Sequence, residues 1–499
     1  MKEVAQVQNY SRRCFLKLLG GAGLACSMGD LSYCMQAPRP KPNVLFIAVD
    51  DLKPLLGCYG RARVKSPNID RLASSGMVFL NGHCQQAVCG PSRASLLTGL
   101  RPDTTEVWDL KTRMRDIIPD ILTLPQHFKN NGYRVEGMGK IFDGRCCDGW
   151  GSQDRRSWSV PFIAVGGKFY ADEGKSSSKP SSKDRSKANR PSTECADVPD
   201  SVYQDGQLAI EGSKAIRRLV RKNTPFFLAV GFKKPHLPFT APKKYWDMYE
   251  RSEFELPEYQ KQSKDGPDIA YHTSGELRSG YTDIPLRGPI TRDKQLELIH
   301  GYHACVSFVD AQIGRLLDEL RVQGAEDNTI VVLWGDHGWH LGDHNLWCKH
   351  TNFEQATRSA FVIRAPGTKG VGGKTNAPAE FVDIFPTLCD LAKLPIPPQL
   401  EGASLVPVLN DPQASVKDVA ISQYPRSSNG KPVMGYAYRS ERYRYIEWIR
   451  KDYRKGQKHG AVVSRELYDY EKDPMETTNA VDLPEYREVV RKFERISKG

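Results

Sequence analysis

Three stretches of the chain are apolar at almost every position and then stop in charged or imidazole side chains. Asn43 to Asp51 reads NVLFIAVDD, Pro225 to His236 reads PFFLAVGFKKPH, and Thr329 to Gly338 reads TIVVLWGDHG. A strand with one wet face alternates apolar and polar residues, so an unbroken apolar run predicts a strand covered on both faces. Between these runs apolar residues recur every three or four positions, as in SPNIDRLASSG from Ser66 and LIHGYHACVSFVDAQIGRLLDEL from Leu298. That period predicts helices. Strands alternating with helices predict an α/β fold with a large, mainly parallel sheet, whose ligands collect at the carboxyl ends of the strands. All three runs carry polar residues at that end. If the ends converge, they form one site.

The pattern changes near the C-terminus. VMGYAYRSERYRYIEWI, from Val433, alternates aromatic and charged residues as a half-exposed strand does, and EYREVVRKFERIS, from Glu485, suits a helix. The expected organisation is a main domain over residues 38–425 and a smaller subdomain over 426–499, with QYPRSSNGKP as a linker. Residues 174–193, GKSSSKPSSKDRSKANRPST, are basic, of low complexity, and read as a surface loop. Residues 1–37 read as an address. Arg12 and Arg13 precede Phe15, Leu16, Lys17 and a short apolar segment, the pattern of a bacterial twin-arginine export signal. That route ends in the periplasm or outside the cell. Lipoprotein cleavage before Cys26 is less well supported, because Gly23 stands where a larger aliphatic residue is usual.

Composition adds less. The chain has 499 residues, 39% of them hydrophobic, enough for one large domain and a small one. Lys and Arg number 71 against 59 Asp and Glu, a formal net charge of +12. The excess suits either ordinary solubility or an anionic partner such as an acidic polysaccharide. No nucleic-acid module, internal repeat or run of about 18 apolar residues is present. The 12 cysteines are scattered without paired CxxC spacings, which argues against a zinc ribbon. Cys146, Cys147 and Cys195 flank the basic insert, and export would permit them to pair.

Two features carry chemistry. Asp50, Asp51 and Asp336, brought together, repel unless a cation holds them; oxygen donors suit calcium or magnesium, with His337 as a fourth ligand. Each acid equally suits a plain strand-end turn. The second feature is AVCGPSRASLLTG, Ala87 to Gly99. Pro91 fits the first turn of a helix and Gly99 its end, which puts Cys89 at a helix N-terminus with Arg93 one turn on. A thiol there is expected to have a depressed pKa and to be reactive. A small buried cysteine fits the same spacing.

C-x-P-S-R followed by a small residue and SLLTG is the sulfatase signature. NVLFIAVDDLKPLLGCYG, GMGKIF, AVGFKKPHLPF, WGDHGWHLGDHNLWCKH and ELYDYEKDP extend the likeness in order along the chain. The chain resembles the formylglycine-dependent sulfatases of the alkaline-phosphatase superfamily, on the iduronate-2-sulfatase-like branch. The resemblance implies a mixed sheet flanked by helices with a small C-terminal antiparallel sheet and helix. It implies that a separate maturating enzyme oxidises Cys89 to formylglycine, whose hydrated aldehyde attacks the sulfate sulfur, releases the alcohol and then expels sulfate. One calcium ion would be held by Asp50, Asp51, Asp336, His337 and residue 89. Arg93 would orient the diol, Lys140 and Lys349 would bind the sulfate, and His236 would protonate the leaving oxygen. The implied substrate is a sulfated oligo- or polysaccharide.

One position departs from the family. Asp143 in GKIFDGR stands where a histidine that contacts the formylglycine is usual. An aspartate there is a poor neighbour for an anion unless it is protonated or paired, with Arg145 as the nearest partner in sequence. Two other readings stay beside the sulfatase: a phosphodiesterase or phosphonate hydrolase of the same superfamily, and a catalytically silent binder of sulfated glycans.

Overall fold

The structure, a computed structural model, describes residues 41–498 except 62, 181–187 and 223. The stretch read as an export signal therefore lies outside the described residues, as does the middle of the low-complexity insert. The two arms of that insert meet where Ser176 N–H donates to Asn189 O at 2.7 Å.

The three apolar runs are neighbouring strands of a seven-stranded sheet. Its strands are β1 (Asn43–Val49), β2 (Met77–Phe79), β3 (Arg134–Gly139), β4 (Phe226–Phe232), β5 (Thr329–Gly335), β6 (Phe361–Arg364) and β7 (Gly373–Thr375). Across the sheet the order is β7-β2-β6-β5-β1-β4-β3. β1 pairs parallel with both β4 and β5, placing Val49 beside Phe232 and Gly335. β6 runs antiparallel to β5 and β2, so the sheet is mixed but mainly parallel. The ladder continues one residue further, Asp50 N–H donating to Phe232 O at 3.1 Å and Asp336 N–H to Val49 O at 3.2 Å. This shared register is what brings the polar strand ends together.

Alternate residues of β1 enter different cores, which is why the run shows no polar positions. Leu45, Ile47 and Val49 pack with helices α1 (Pro67–Ser74), α3 (Gln204–Val220) and α4 (Arg292–Val322). Val44, Phe46 and Ala48 pack with α2 (Cys89–Thr98) and α5 (Ile384–Leu391) on the other face. Each such large side chain contributes about 1.5–3 kcal/mol by leaving water. The Thr291 side chain caps α4 by accepting from Lys294 N–H, and Leu298, Tyr302, Cys305, Val309, Ile313 and Leu316 form its buried stripe. Among the described residues no helix is long and apolar enough to cross a membrane.

The C-terminal part is a four-stranded antiparallel meander of β8 (Ala420–Ser428), β9 (Lys431–Arg439), β10 (Tyr443–Arg450) and β11 (Ala461–Asp469). One face carries α6 (Arg487–Ile496), with Phe493 against Tyr445 and Leu467. The other face sets Val433, Ala437 and Trp448 against Leu346 and Phe353. The stretch read as a linker, Gln423 to Pro432, is instead a hairpin. Asn429 and Gly430, at φ 50° and 72°, supply the two left-handed residues of its turn, and Ser428 pairs with Lys431.

The pairing that export would permit is not present: all nine described cysteines are free. Cys146 and Cys147 are buried with their thiols against the carbonyls of Asp109 and Asp143, while Cys195 is exposed.

Candidate active site

Asp50 and Asp51 follow β1, and Asp336 and His337 follow β5. All four are buried. Asp51 sits at φ 62°, held by its own N–H to Asp336 Oδ1 at 2.9 Å. The Tyr302 hydroxyl reinforces this turn by donating to Asp51 O at 2.7 Å and accepting from Lys53 N–H at 2.8 Å.

Three cations offset the three buried carboxylates. Arg93 donates from Nε to Asp336 at 2.9 Å and from Nη2 to Asp50 at 3.1 Å. Lys140 donates to both Asp50 oxygens at 2.8 and 2.6 Å, and Lys349 lies 3.3 Å from both oxygens of Asp51. Burial alone would raise the Asp50 pKa, but Lys140 and Arg93 hold it well below the usual range. At Asp51 burial prevails over Lys349 and the pKa is raised.

His337 shows what else the site can hold. Its Nδ1 lies 2.9 Å from Gly338 O, and a carbonyl only accepts, so Nδ1 carries a hydrogen. Nε2 then faces Asp51 Oδ1 (3.3 Å), Asp336 Oδ1 (3.6 Å) and Cys89 Sγ (3.4 Å). Carboxylate oxygens, a sulfur and an imidazole nitrogen this close call for a proton or a cation among them. One donor atom each from Asp51, Cys89, Asp336 and His337 lies within 4.8 Å of all the others, and Asp50, Asp51, Cys89 and His236 form an overlapping group. Hard carboxylates with one imidazole fit a divalent ion such as calcium or magnesium.

Cys89 opens α2 as the spacing predicts, and Gly99 closes it at φ 68° with its N–H on Ser95 O. Every residue of the helix is buried. Arg93 locks it to the strand ends by also donating to Ile141 O at 3.0 Å, with its guanidinium 5.3 Å from the Trp334 ring centroid. The thiol does not match the expectation of a depressed pKa. Burial, then the Asp50 charge, push it well above its ordinary value, and Lys140 and Lys349 do not compensate. A helix N-terminus cannot stabilise a thiolate against three adjacent carboxylates without water. As a thiol, Cys89 is protonated and a poor nucleophile.

Across from these acids, Lys349 donates to Glu276 Oε1 at 2.8 Å, and its ammonium sits 4.7 Å from the centre of the Trp339 ring. His236 pairs Nδ1 with Leu237 O, so Nε2 faces Glu276 Oε1 at 3.3 Å and Asp51 Oδ2 at 3.9 Å. Glu276, from the short helix Gly275–Gly280, thus ties Lys349 to His236, and His350 Nε2 lies 3.6 Å away. Burial would raise its pKa; Lys349 and His236 hold it well below the usual range. Asp143 is buried and accepts from Arg145 Nε at 2.8 Å and Nη2 at 2.7 Å. Burial would raise this pKa too, but Arg145 and Lys140 lower it overall. The aspartate is paired rather than protonated. A cavity of about 540 Å³ opens beside Asp50, Lys140 and His236.

The sulfatase family model matches residues 42–394, and one described as N-sulphoglucosamine sulphohydrolase, C-terminal, matches residues 342–498. The chain belongs to the sulfatase family. Iduronate 2-sulfatase of Mus musculus is 33% identical over 499 aligned residues, which cover 88% of this chain and 90% of that one. The solved structure of a 2-O GAG sulfatase has a TM-score of 0.69 at 23% identity, covering 92% of this sulfatase and 91% of that chain. A phosphonate monoester hydrolase from Silicibacter pomeroyi has a TM-score of 0.70 at 22% identity, covering 91% and 94%. Both structures share the fold, which is alkaline-phosphatase-like. The sulfatase is a sulfuric ester hydrolase. Asp50, Asp51, Cys89, Arg93, Lys140, His236, Asp336, His337 and Lys349, all singled out from sequence, lie around one point of it. Glu276, Tyr302 and His350 escape the sequence reading. Glu276 sits in HTSGELRSGY, which carries neither a periodic pattern nor a strand end to flag it.

Proposed function

We propose that this sulfatase hydrolyses sulfate esters of a sulfated carbohydrate, using a formylglycine made from Cys89 and one bound calcium ion. The observation that carries the reading is that Cys89 shares one close group with Asp51, Asp336 and His337 and another with Asp50, Asp51 and His236, while Lys140 and Lys349 sit on Asp50 and Asp51. The charge balance supports it. Asp50, Asp51, Asp336 and Glu276 carry four negative charges and Arg93, Lys140 and Lys349 three positive. A divalent cation leaves these side chains at +1, and a protonated His236 adds one more, opposite to the charge of a sulfate ester.

Asp50, Asp51, Asp336, His337 and residue 89 would hold the cation, which would neutralise sulfate oxygens and favour the ionised nucleophile. The hydrated aldehyde at position 89 would supply one oxygen to attack sulfur and a second to expel the sulfate. Arg93, immobilised by two carboxylates, keeps α2 and residue 89 in place. Lys140 and Lys349 turn from Asp50 and Asp51 towards the sulfate oxygens, where negative charge grows in the transition state. His236, whose Nε2 faces Glu276, gives a proton to the leaving oxygen. The pairing of Asp143 with Arg145 supports catalysis over silent binding, since it keeps a bare carboxylate away from the nucleophile. The twin-arginine pattern supports export after folding and maturation. The test is free sulfate released by matured enzyme from a panel of sulfated oligosaccharides, with a phosphonate monoester as comparison. Release from none of the sugars, or faster cleavage of the phosphonate, would overturn the reading.

A further inference from the structure

The cavity beside the active site is strongly basic, and its charges are unevenly matched. Lys140, Arg145, Lys168, Arg190, Lys233 and Lys234 line it, against the acids Asp50 and Asp205. Both acids are already engaged: Asp50 by Lys140 and Arg93, Asp205 by the backbone N–H groups of Lys233 and Lys234 at 2.7–3.1 Å. Most of the cations are engaged too. Lys234 donates to the carbonyls of His236 and Pro238, Lys168 pairs with Glu173, and Arg190 donates to Gly280 O and lies over the Tyr281 ring.

Lys233 differs. It is half-buried, one residue beyond β4 and three before His236, and its ammonium has no hydrogen bond or ion pair among the described residues. Asp205 and Asp50 attract it only from beyond ion-pair distance, and a partly desolvated cation with no anion in contact is costly to keep unless one completes it. Arg145 has spare capacity as well, because its bonds to Asp143 use Nε and Nη2 and leave Nη1 free. The guanidinium stands 6.0 Å from the centre of the Trp150 ring, and Trp150 is 48% exposed and lines the same cavity. An exposed aromatic ring in a cavity lined by these cations suits the apolar side of a sugar ring that carries a further charge.

We propose that Lys233 and Arg145 form a second anion subsite in this cavity, which takes a carboxylate or a further sulfate borne by the saccharide whose sulfate ester is cleaved. The subsite rests on the carbohydrate reading of the active site. It makes the preferred substrate at least a dianion, and charge-assisted hydrogen bonds of this kind correspond to about a ten- to hundredfold preference.

Two matched substrate pairs test it with matured enzyme. One is a 2-O-sulfated uronic acid and the same sugar with its carboxyl reduced to an alcohol. The other is glucosamine 6-sulfate with and without the N-sulfate. In the pair the enzyme cleaves, the dianion should have the higher kcat/KM by about ten- to hundredfold, and the identity of that pair tells carboxylate from sulfate. Lys233→Gln should erase the preference by raising KM on the dianion alone, and Lys233→Arg should restore it. The double variant Asp143→Asn with Arg145→Gln, which leaves no buried carboxylate bare, should lower the same preference. Equal cleavage of both members by wild type, or equal loss on both members in Lys233→Gln, overturns the subsite while leaving the sulfatase reading intact. Sulfate release from none of the four sugars by enzyme that does cleave 4-nitrophenyl sulfate overturns the carbohydrate reading, and the subsite with it.

Discussion

Glu276→Gln isolates the contact that joins Lys349, proposed to bind the sulfate, to His236, proposed to donate the proton. The carboxylate accepts from Lys349 at 2.8 Å and faces His236 Nε2 at 3.3 Å. Both contacts fall on Oε1, so a glutamine that keeps its carbonyl there turns its NH₂ towards His350 and offers Lys349 and His236 a neutral acceptor in place of a charged one. A hydrogen bond to a charged group is worth about 1.5–3 kcal/mol. The Glu276 side chain is 24% exposed, so solvent screening favours the lower half of that range. The expected loss in kcat/KM on a sugar sulfate is therefore about ten- to fortyfold, mostly in kcat, because both contacts act on groups that meet charge in the transition state. Steady-state sulfate release gives the number, and 4-nitrophenyl sulfate gives the control. Nitrophenolate leaves without help from a proton donor, so Glu276→Gln should lose much less on that ester. Equal losses on both esters, or none on the sugar, would refute a role for Glu276 through His236.

Further outcomes follow from the same geometry. Gly231→Ala puts a Cβ 2.0 Å from Lys140 O, so β4 must move away from the site; thermal melts should show a loss of about 3 kcal/mol with activity abolished, and an unchanged Tm would contradict the packing. Dialysis against a chelator should lower both turnover and Tm, calcium should restore both, and at a hundredfold excess over Kd the recovered stability is about 2.7 kcal/mol. Glu466 accepts from Trp448 Nε1 and the Tyr468 hydroxyl, both at 2.7 Å, yet burial lifts its pKa from 4.5 to about 7. The folded state thus holds the proton more tightly than the unfolded chain, so stability falls by about 3 kcal/mol as pH rises from about 4.5 to about 7 and stays level above. Glu466→Gln should flatten that fall in pH-resolved denaturation, and an unaltered pH slope would refute the assignment.

The strand ends are legible in the sequence because burial on both faces leaves an unmistakable apolar run, and a parallel register turns a run's last residue into a site residue. Asp50, Asp336 and His236 therefore stand out from the order of the amino acids alone. The same holds for the position of Cys89 at the start of α2, but not for its pKa. A helix N-terminus is a local property, whereas Asp50 lies 39 positions away in the chain and the burial comes from the whole fold. Glu276 is invisible for a related reason: its importance rests on contacts with Lys349 and His236, and nothing in its own neighbourhood signals them. The C-terminal hairpin reads as a linker although Asn429–Gly430 is a strong turn signal, because Pro425, Pro432 and the serines around them dominate the local composition.

The account stands on the chemistry at position 89. In enzyme purified from its native host and shown to release sulfate from a sugar, mass spectrometry of the peptide spanning Ala87 to Gly99 should find the aldehyde of formylglycine at position 89. Fully active enzyme carrying only an unmodified thiol there would contradict the mechanism.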